Sequence, residues 1–331
     1  MPRRSEAPIK SPIKSLDVPR KWTEDRKVSR IQQAVVFALV LCSGCDESPA
    51  TRTADGPGGP RDALVDSAAG RADATPDTRP ASPDTSPASP DLHIEPDAPV
   101  GPWKLVWADE FNYQGLPDAA KWDYEQGYVR NNELQFYVKA RLENSHVENG
   151  QLTIEAREDN YQGHAVTSAS LITKGKASWT YGRIEMRAQI PTGKGSWPAF
   201  WTLGTNIDQV GWPACGEIDI MENVGFDPDT IHGTVHLSGV DKGGTFNASA
   251  PYTGFHVYAV EWFADRLDFY YDSNKYFTYP KTGTNGPFDK PQYLILNIAV
   301  GGSWGGRQGV DSGIYPLKMI VDYVRVYEHT P

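Results

Sequence analysis

Cysteine is scarce in this 331-residue chain, which carries three, at positions 42, 45 and 215. The first two sit together near the N-terminus, so Cys215 stands alone in everything that follows. No disulfide can form within that part, and no thiolate metal cluster can be built there. With no matching histidine constellation, Cys215 reads as a small buried residue behind a strand rather than a nucleophile. Long apolar runs are also missing. The most prominent, residues 34–41, has eight residues, far short of the ~20 a membrane helix needs. After residue 100 no long window shows helical periodicity, which argues against a helical or α/β architecture. Positive charge is short as well. The net charge is −10, and residues 1–30 hold a local balance of +5, so the rest carries −15. An acidic domain is a poor partner for nucleic acid and is compatible with a neutral polymer.

What is present divides into three segments. Residues 1–45 read as an export signal, with basic residues ahead of the short apolar core Ala34-Val35-Val36-Phe37-Ala38-Leu39-Val40-Leu41. The lead of 1–27 is long for such a signal and places the start nearer Val28. The core ends at Cys42-Ser43-Gly44-Cys45, which resembles a bacterial lipoprotein cleavage box with Cys45 as the lipidated residue; Cys42 stands where the box prefers Leu. The expectation is an exported protein, either a cell-surface lipoprotein with a lipid anchor in the membrane or, if the signal is a plain secretory one, a secreted one. Residues 46–100 are rich in Pro, Ala, Asp, Ser and Thr, with near-repeats such as Thr75-Pro76-Asp77-Thr78 and Ser82-Pro83-Asp84-Thr85. Such a segment has too little apolar surface to offset its ordering entropy and reads as a disordered, extended tether.

Residues 101–331 form the third segment, and alternation dominates it. Ile184, Met186, Ala188 and Ile190 alternate with Arg183, Glu185, Arg187 and Gln189, while Leu152, Ile154 and Ala156 alternate with Thr153 and Glu155. These are half-buried strands, broken by Gly and Pro, and they predict an all-β, antiparallel β-sandwich. Into one strand the sequence places three carboxylates, Glu217-Ile218-Asp219-Ile220-Met221-Glu222. With a side-chain period of two, Glu217 and Asp219 share a face that Glu222 misses. A β-bulge with one extra residue, Met221 being the natural candidate, returns Glu222 to that face, and bulges gather beside active sites. Three acids in one cleft repel, which is relieved when one stays protonated beside an ionised neighbour; this is the pairing that cuts glycosidic bonds. On a solvated edge strand the same acids would do nothing. Trp197, Trp201 and Trp212 just upstream favour the cleft reading, because indole faces suit the C–H faces of sugar rings.

The run Trp197-Pro198-Ala199-Phe200-Trp201 followed by Trp212-Pro213-Ala214-Cys215-Gly216-Glu217-Ile218-Asp219-Ile220-Met221-Glu222-Asn223 resembles glycoside hydrolase family 16, on its laminarinase-like bacterial β-glucanase side. The segments Leu105–Phe111, Arg130–Gln135, Thr180–Arg183 and Val321–Tyr327 agree in order, so the resemblance spans about Trp103 to Tyr327. It implies a β-jelly roll with a concave substrate cleft and a retaining endo-β-glucanase acting on β-1,3 or mixed β-1,3/1,4 glucans. Glu217 would be the nucleophile, Glu222 the acid/base, and Asp219 the carboxylate between them. It further implies substrate contacts at Asn132 and His236; Trp201, Trp212 and Trp197 are the stacking candidates, Asn297 and Trp304 further contacts near the Gly301-Gly302-Ser303 loop, with core packing the alternative for Trp304 and a satisfied structural histidine the alternative to a cleft role at His232. No catalytic cofactor is implied, but a structural calcium on Glu110, the Gly150 carbonyl and Asp322 is; oxygen-only ligands suit that ion. The expected partner is a β-glucan bound by a monomer, with no nucleic acid. A transglycosylase or galactan hydrolase of the same family, or a non-catalytic glucan-binding module, stand as alternatives.

Overall fold

The computed structural model describes residues 101–283 and 286–330. The signal segment with Cys45 and the 46–100 linker lie outside the described residues. Strands are numbered in chain order. One sheet has seven, in the order β12 (Val240–Asn247), β11 (Asp227–Leu237), β10 (Glu217–Val224), β9 (Ser196–Gly204), β16 (Gln292–Val300), β7 (Ser170–Ile172) and β2 (Asp123–Tyr124). The other has ten. Its main path runs β15 (Asn274–Pro280), β14 (Arg266–Tyr271), β13 (His256–Trp262), β8 (Gly182–Gln189), β17 (Leu317–His329), β5 (Gln151–Tyr161), β6 (His164–Ser168) and β3 (Gln135–Tyr137). On it β1 (Trp103–Asp109) pairs with β17 and β4 (Ser145–Glu148) with β5. The pairing is antiparallel as expected except between β3 and β6, which run parallel. Among the described residues helix is confined to one turn at Ile207–Val210 and a 3₁₀ turn at Pro287–Asp289.

The alternation read from the sequence places the core between the sheets. Ile184, Met186 and Ala188 of β8 and Leu152, Ile154 and Ala156 of β5 meet Phe200 of β9, Ile218 of β10 and Leu294, Leu296 and Ile298 of β16. Fully burying each such side chain contributes roughly 1.5–3 kcal/mol. In β16 the other half of the alternation, Tyr293, Ile295, Asn297 and Ala299, turns to the outer face of the seven-stranded sheet and is buried there too. That outer face is therefore a packed, partly polar floor rather than a solvated surface.

The polar half of β8 is likewise not solvated. Arg183 and Glu185 are both buried, bonded to each other at 2.7 Å, with Arg183 reaching Glu261 at 3.0 Å and Tyr327 donating to Glu185 at 3.1 Å. Long charged side chains on neighbouring strands pair crosswise and cover one another. Strand register also gathers the residues expected to hold calcium. β1 ends with Asp109 opposite Val324 and β5 sets Leu152 opposite Val321, so Glu110, Gly150 and Asp322 lie along one stretch of β17. Gly150 follows Asn149 in the two-residue β4–β5 turn, where both have positive φ, 54° and 77°, as a type I′ hairpin requires. The two carboxylates have partners already. Glu110 accepts from Arg325 at 2.7 and 2.9 Å, and Asp322 from Arg187 at 2.7 Å.

Candidate active site

The register of β10 carries the bulge. Against β9, Asp219 pairs with Trp201 and Met221 with Phe200; against β11, Asp219 pairs with Thr234 and Glu222 with His232. The ladder thus has one residue too many between Asp219 and Glu222. The residue skipped against β9 is Ile220, not Met221 as the sequence suggested, because Met221 keeps Phe200 as its partner. Ile220 and Met221 both bury their side chains in the core. Two successive core-facing residues return Glu222 to the face of Glu217 and Asp219, and all three line a cleft of about 490 Å³.

Each carboxylate has a distinct surrounding. Glu217 accepts the indole N–H of Trp212 at 2.7 Å and lies 4.0 Å from His236 Nε2. Burial raises its pKa, opposed by the His236 charge and by hydrogen bonds from Trp212 and Asp219. Asp219, 2% exposed, sits with Oδ2 3.1 Å from His236 Nε2. Burial first, then the charges of Glu217 and Glu222, hold it well above the ordinary carboxylate range, so it keeps its proton. Glu222 accepts from Trp197 Nε1 at 3.0 Å; burial lifts it to about 7 against that hydrogen bond, with the Glu217 charge adding to the rise. His236 also contacts Asp241 through Nδ1 at 2.7 Å. Burial alone would lower it, but the close approach of Asp219 Oδ2 and the neighbouring Asp241 and Glu217 outweigh this and push it up to about 10. The result is an imidazolium beside two acids that retain protons and one carboxylate served by fixed donors. That is a nucleophile, a proton donor and their electrostatic support in one cleft.

The structure distributes the expected sugar-contact residues differently. Trp212 is the open indole, 58% exposed. Trp201 is only 6% exposed; the Arg130 guanidinium lies over it, 4.7 Å from the ring centroid, and its N–H goes to Asn297 Oδ1 at 2.8 Å. It lines the cleft with a cation over one face of its ring. Trp197 packs edge-on against Trp304 at 5.4 Å, which in turn meets His232 at 4.9 Å, so Trp197 and Trp304 form a wall that aims Trp197 at Glu222. Asn297 lies on the cleft floor, whereas Asn132 is exposed and its neighbours Asn131 and Glu133 line the cleft instead. Cys215 is buried beside Leu203 and Tyr293, as a packing residue.

A buried network was not read from the sequence. Glu133 accepts from Gln135 at 2.6 Å, Asn131 at 3.1 Å and Tyr137 at 3.4 Å, and Tyr137 OH in turn accepts from Asn297 Nδ2 at 3.0 Å. Arg130 pairs with Glu125, whose carboxylate also takes the Ser170 hydroxyl at 2.6 Å. The signal for the first group was present: Gln135 and Tyr137 share one face of β3, and Glu133 continues the same period of two just ahead of it.

Residues 132–325 match the profile of "Glycosyl hydrolases family 16". The chain belongs to glycosyl hydrolase family 16. A β-glucanase of Rhodothermus marinus is 50% identical over 243 residues, covering 68% of this chain and 85% of that protein. A glucan endo-1,3-beta-glucosidase A1 of Niallia circulans is 36% identical over 266 residues, covering 70% of this chain and 39% of its own length. Among solved structures, the laminarinase of Rhodothermus marinus superposes with a TM-score of 0.66 at 48% identity, covering 69% of this chain and 98% of that one. As a family 16 member the chain is a glycoside hydrolase with the jelly-roll sandwich of that family, and retention of configuration is the family's general mechanism.

Proposed function

We propose that this enzyme is an endo-acting β-glucanase that hydrolyses neutral β-1,3 or mixed β-1,3/1,4 glucans with retention. The observation that carries the reading is the bulged β10, which sets Glu217, Asp219 and Glu222 on one cleft face with three different protonation environments. Glu217 attacks the anomeric carbon while Glu222 gives its proton to the leaving oxygen; Glu222 then takes a proton from water, which releases the sugar from Glu217. Asp219 donates to Glu217 and lies against the positive charge of His236.

The cleft's charges favour a neutral substrate. Its lining cations are already matched, Arg130 by Glu125 and Lys174 by Asp208 at 2.8 Å, while Glu133 and the three β10 acids face the same space. A sulfated or uronic sugar would meet carboxylates without a free lysine or arginine. This argues against a sulfated galactan, although a keratan-sulfate endo-1,4-beta-galactosidase of Sphingobacterium multivorum is 35% identical over 239 residues. A binding module would have no need of three buried acids, whose desolvation is costly.

The test is the product profile on β-1,3-glucan, mixed-linkage glucan and sulfated galactan. Early release of mixed oligomers from the first two, with the anomer retained, is the expected result; activity on the galactan alone would overturn the reading. Glu217→Gln should abolish turnover while glucan binding persists, and Glu222→Ala should recover with azide or an activated leaving group.

The same reading includes three finer proposals. Export through residues 1–45 and a lipid anchor at Cys45 would hold the enzyme at a membrane, and the enzyme would act as a monomer. A calcium ion at Glu110, the Gly150 carbonyl and Asp322 would be structural and would compete with Arg325 and Arg187 for the same carboxylates.

A further inference from the structure

Where β10 meets β11, three metal-ligating atoms face one another. His236 Nε2 lies 3.1 Å from Asp219 Oδ2 and 4.0 Å from Glu217 Oε1, and one ligand atom from each residue falls within 4.8 Å of the others. The ring is not free to turn, because Asp241 Oδ1 holds Nδ1 at 2.7 Å and so aims Nε2 at the two carboxylates. A carboxylate behind the far nitrogen is the arrangement that orients metal-bound histidines and makes them better ligands. Asp219 Oδ2 is buried and, despite its contact with His236, makes no hydrogen bond of proper geometry. An acceptor left unserved in a buried site is costly, and a cation would serve it.

We propose that this corner is a binding site for a borderline divalent ion, with Zn²⁺ the best fit, and that occupying it reversibly inhibits the enzyme. Zn²⁺ takes Nε2 of neutral His236, Oδ2 of Asp219 and Oε1 of Glu217, with water as the fourth ligand. The proton on Nε2 and the proton that Asp219 holds both leave for solvent. Imidazole with two carboxylates is a zinc set, whereas calcium and magnesium select oxygen cages of six or more ligands. Inhibition follows because a Glu217 oxygen bound to the ion cannot attack the anomeric carbon. Only this inhibitory half rests on the assignment of Glu217 as nucleophile.

The experiment uses the full chain and Zn²⁺ alone, followed by calorimetry and by thermal unfolding, and then hydrolysis of β-1,3-glucan with Zn²⁺, Ca²⁺ or Mg²⁺ added. One Zn²⁺ should bind per chain, raise the melting temperature and inhibit competitively with glucan, with full reversal by chelator. His236→Asn should abolish the binding heat at this site. Asp241→Asn, at a residue outside the cleft lining, should weaken Zn²⁺ binding by about 10–100-fold, with recovery in Asp241→Glu. Zn²⁺ binding unchanged in both variants, inhibition that glucan does not relieve, or equal inhibition by Ca²⁺ would each overturn the proposal. A protein that binds Zn²⁺ through His236 yet cleaves no glucan would instead sink the glucanase reading and leave the metal site standing.

Discussion

At the scale of the residue, Glu222 is set by neighbours of opposite effect: burial and the Glu217 charge raise it, and the Trp197 N–H lowers it, with the balance at about 7. Because the acid form is needed for leaving-group departure, kcat/KM should fall as pH rises through about 7. Trp197→Phe removes a donor that favours the charged form. It should therefore move the alkaline limb to higher pH, and a pH–rate profile that moved down or stayed put would show that the indole does not tune this acid. The same shift has a stability consequence. Glu222 holds its proton more tightly folded than unfolded, between the ordinary 4.5 and about 7, so folding loses stability as pH rises through that window. Glu222→Gln should then stabilise the protein by roughly 1–3 kcal/mol at pH 8 and by almost nothing at pH 4, where both states are protonated. Thermal melts at the two pH values check this.

At the scale of the element, the bulge in β10 is what makes a five-position separation of Glu217 and Glu222 productive. Deleting Met221 leaves Glu-Ile-Asp-Ile-Glu, a regular strand that still presents all three acids to the cleft, but with Asn223 and Val224 shifted against β9 and β11. The expected outcome is an enzyme less stable by the loss of a buried side chain, about 2–5 kcal/mol, whose products shift toward mixed-linkage substrate. Full activity with the parent linkage preference would show that the bulge has no part in specificity. The need for a bulge was legible from acid spacing alone, since period two cannot place both glutamates on one face. Which residue the ladder skips was not legible, because pairing with Phe200 belongs to β9. Burial of Arg183 and Glu185 was missed for a similar reason: alternation marks a polar face, and only adjacent strands decide whether that face is covered. The Arg130 cap on Trp201 joins a loop to a strand far along the chain, so no local pattern announces it, whereas the Asp241 prop on His236 is a cross-strand pair of the β11–β12 hairpin.

At the scale of the whole molecule, chemistry and the expected anchoring features are separable. If Cys45 carries lipid, Cys45→Ser should move the enzyme from the membrane fraction to the soluble one with kcat/KM on soluble glucan unchanged; an unmoved enzyme would leave a plain secretory signal. The calcium proposal is decided on the sheet opposite the cleft. Glu110, Gly150 and Asp322 border β17 of the ten-stranded sheet, while the acids line the seven-stranded one. An ion bound there stabilises only the folded state, by about 2.7 kcal/mol at a concentration 100 times its Kd. A chelator should lower the melting temperature accordingly, leave activity at modest temperature nearly unchanged, and have no effect on Asp322→Ala. Arg325 and Arg187 set the competing outcome, since they already neutralise the two carboxylates. If melting does not respond to calcium or chelator while Glu110→Ala still destabilises, the carboxylates serve the arginines, and the oxygen-rich edge is an ion-pair seam rather than a metal site.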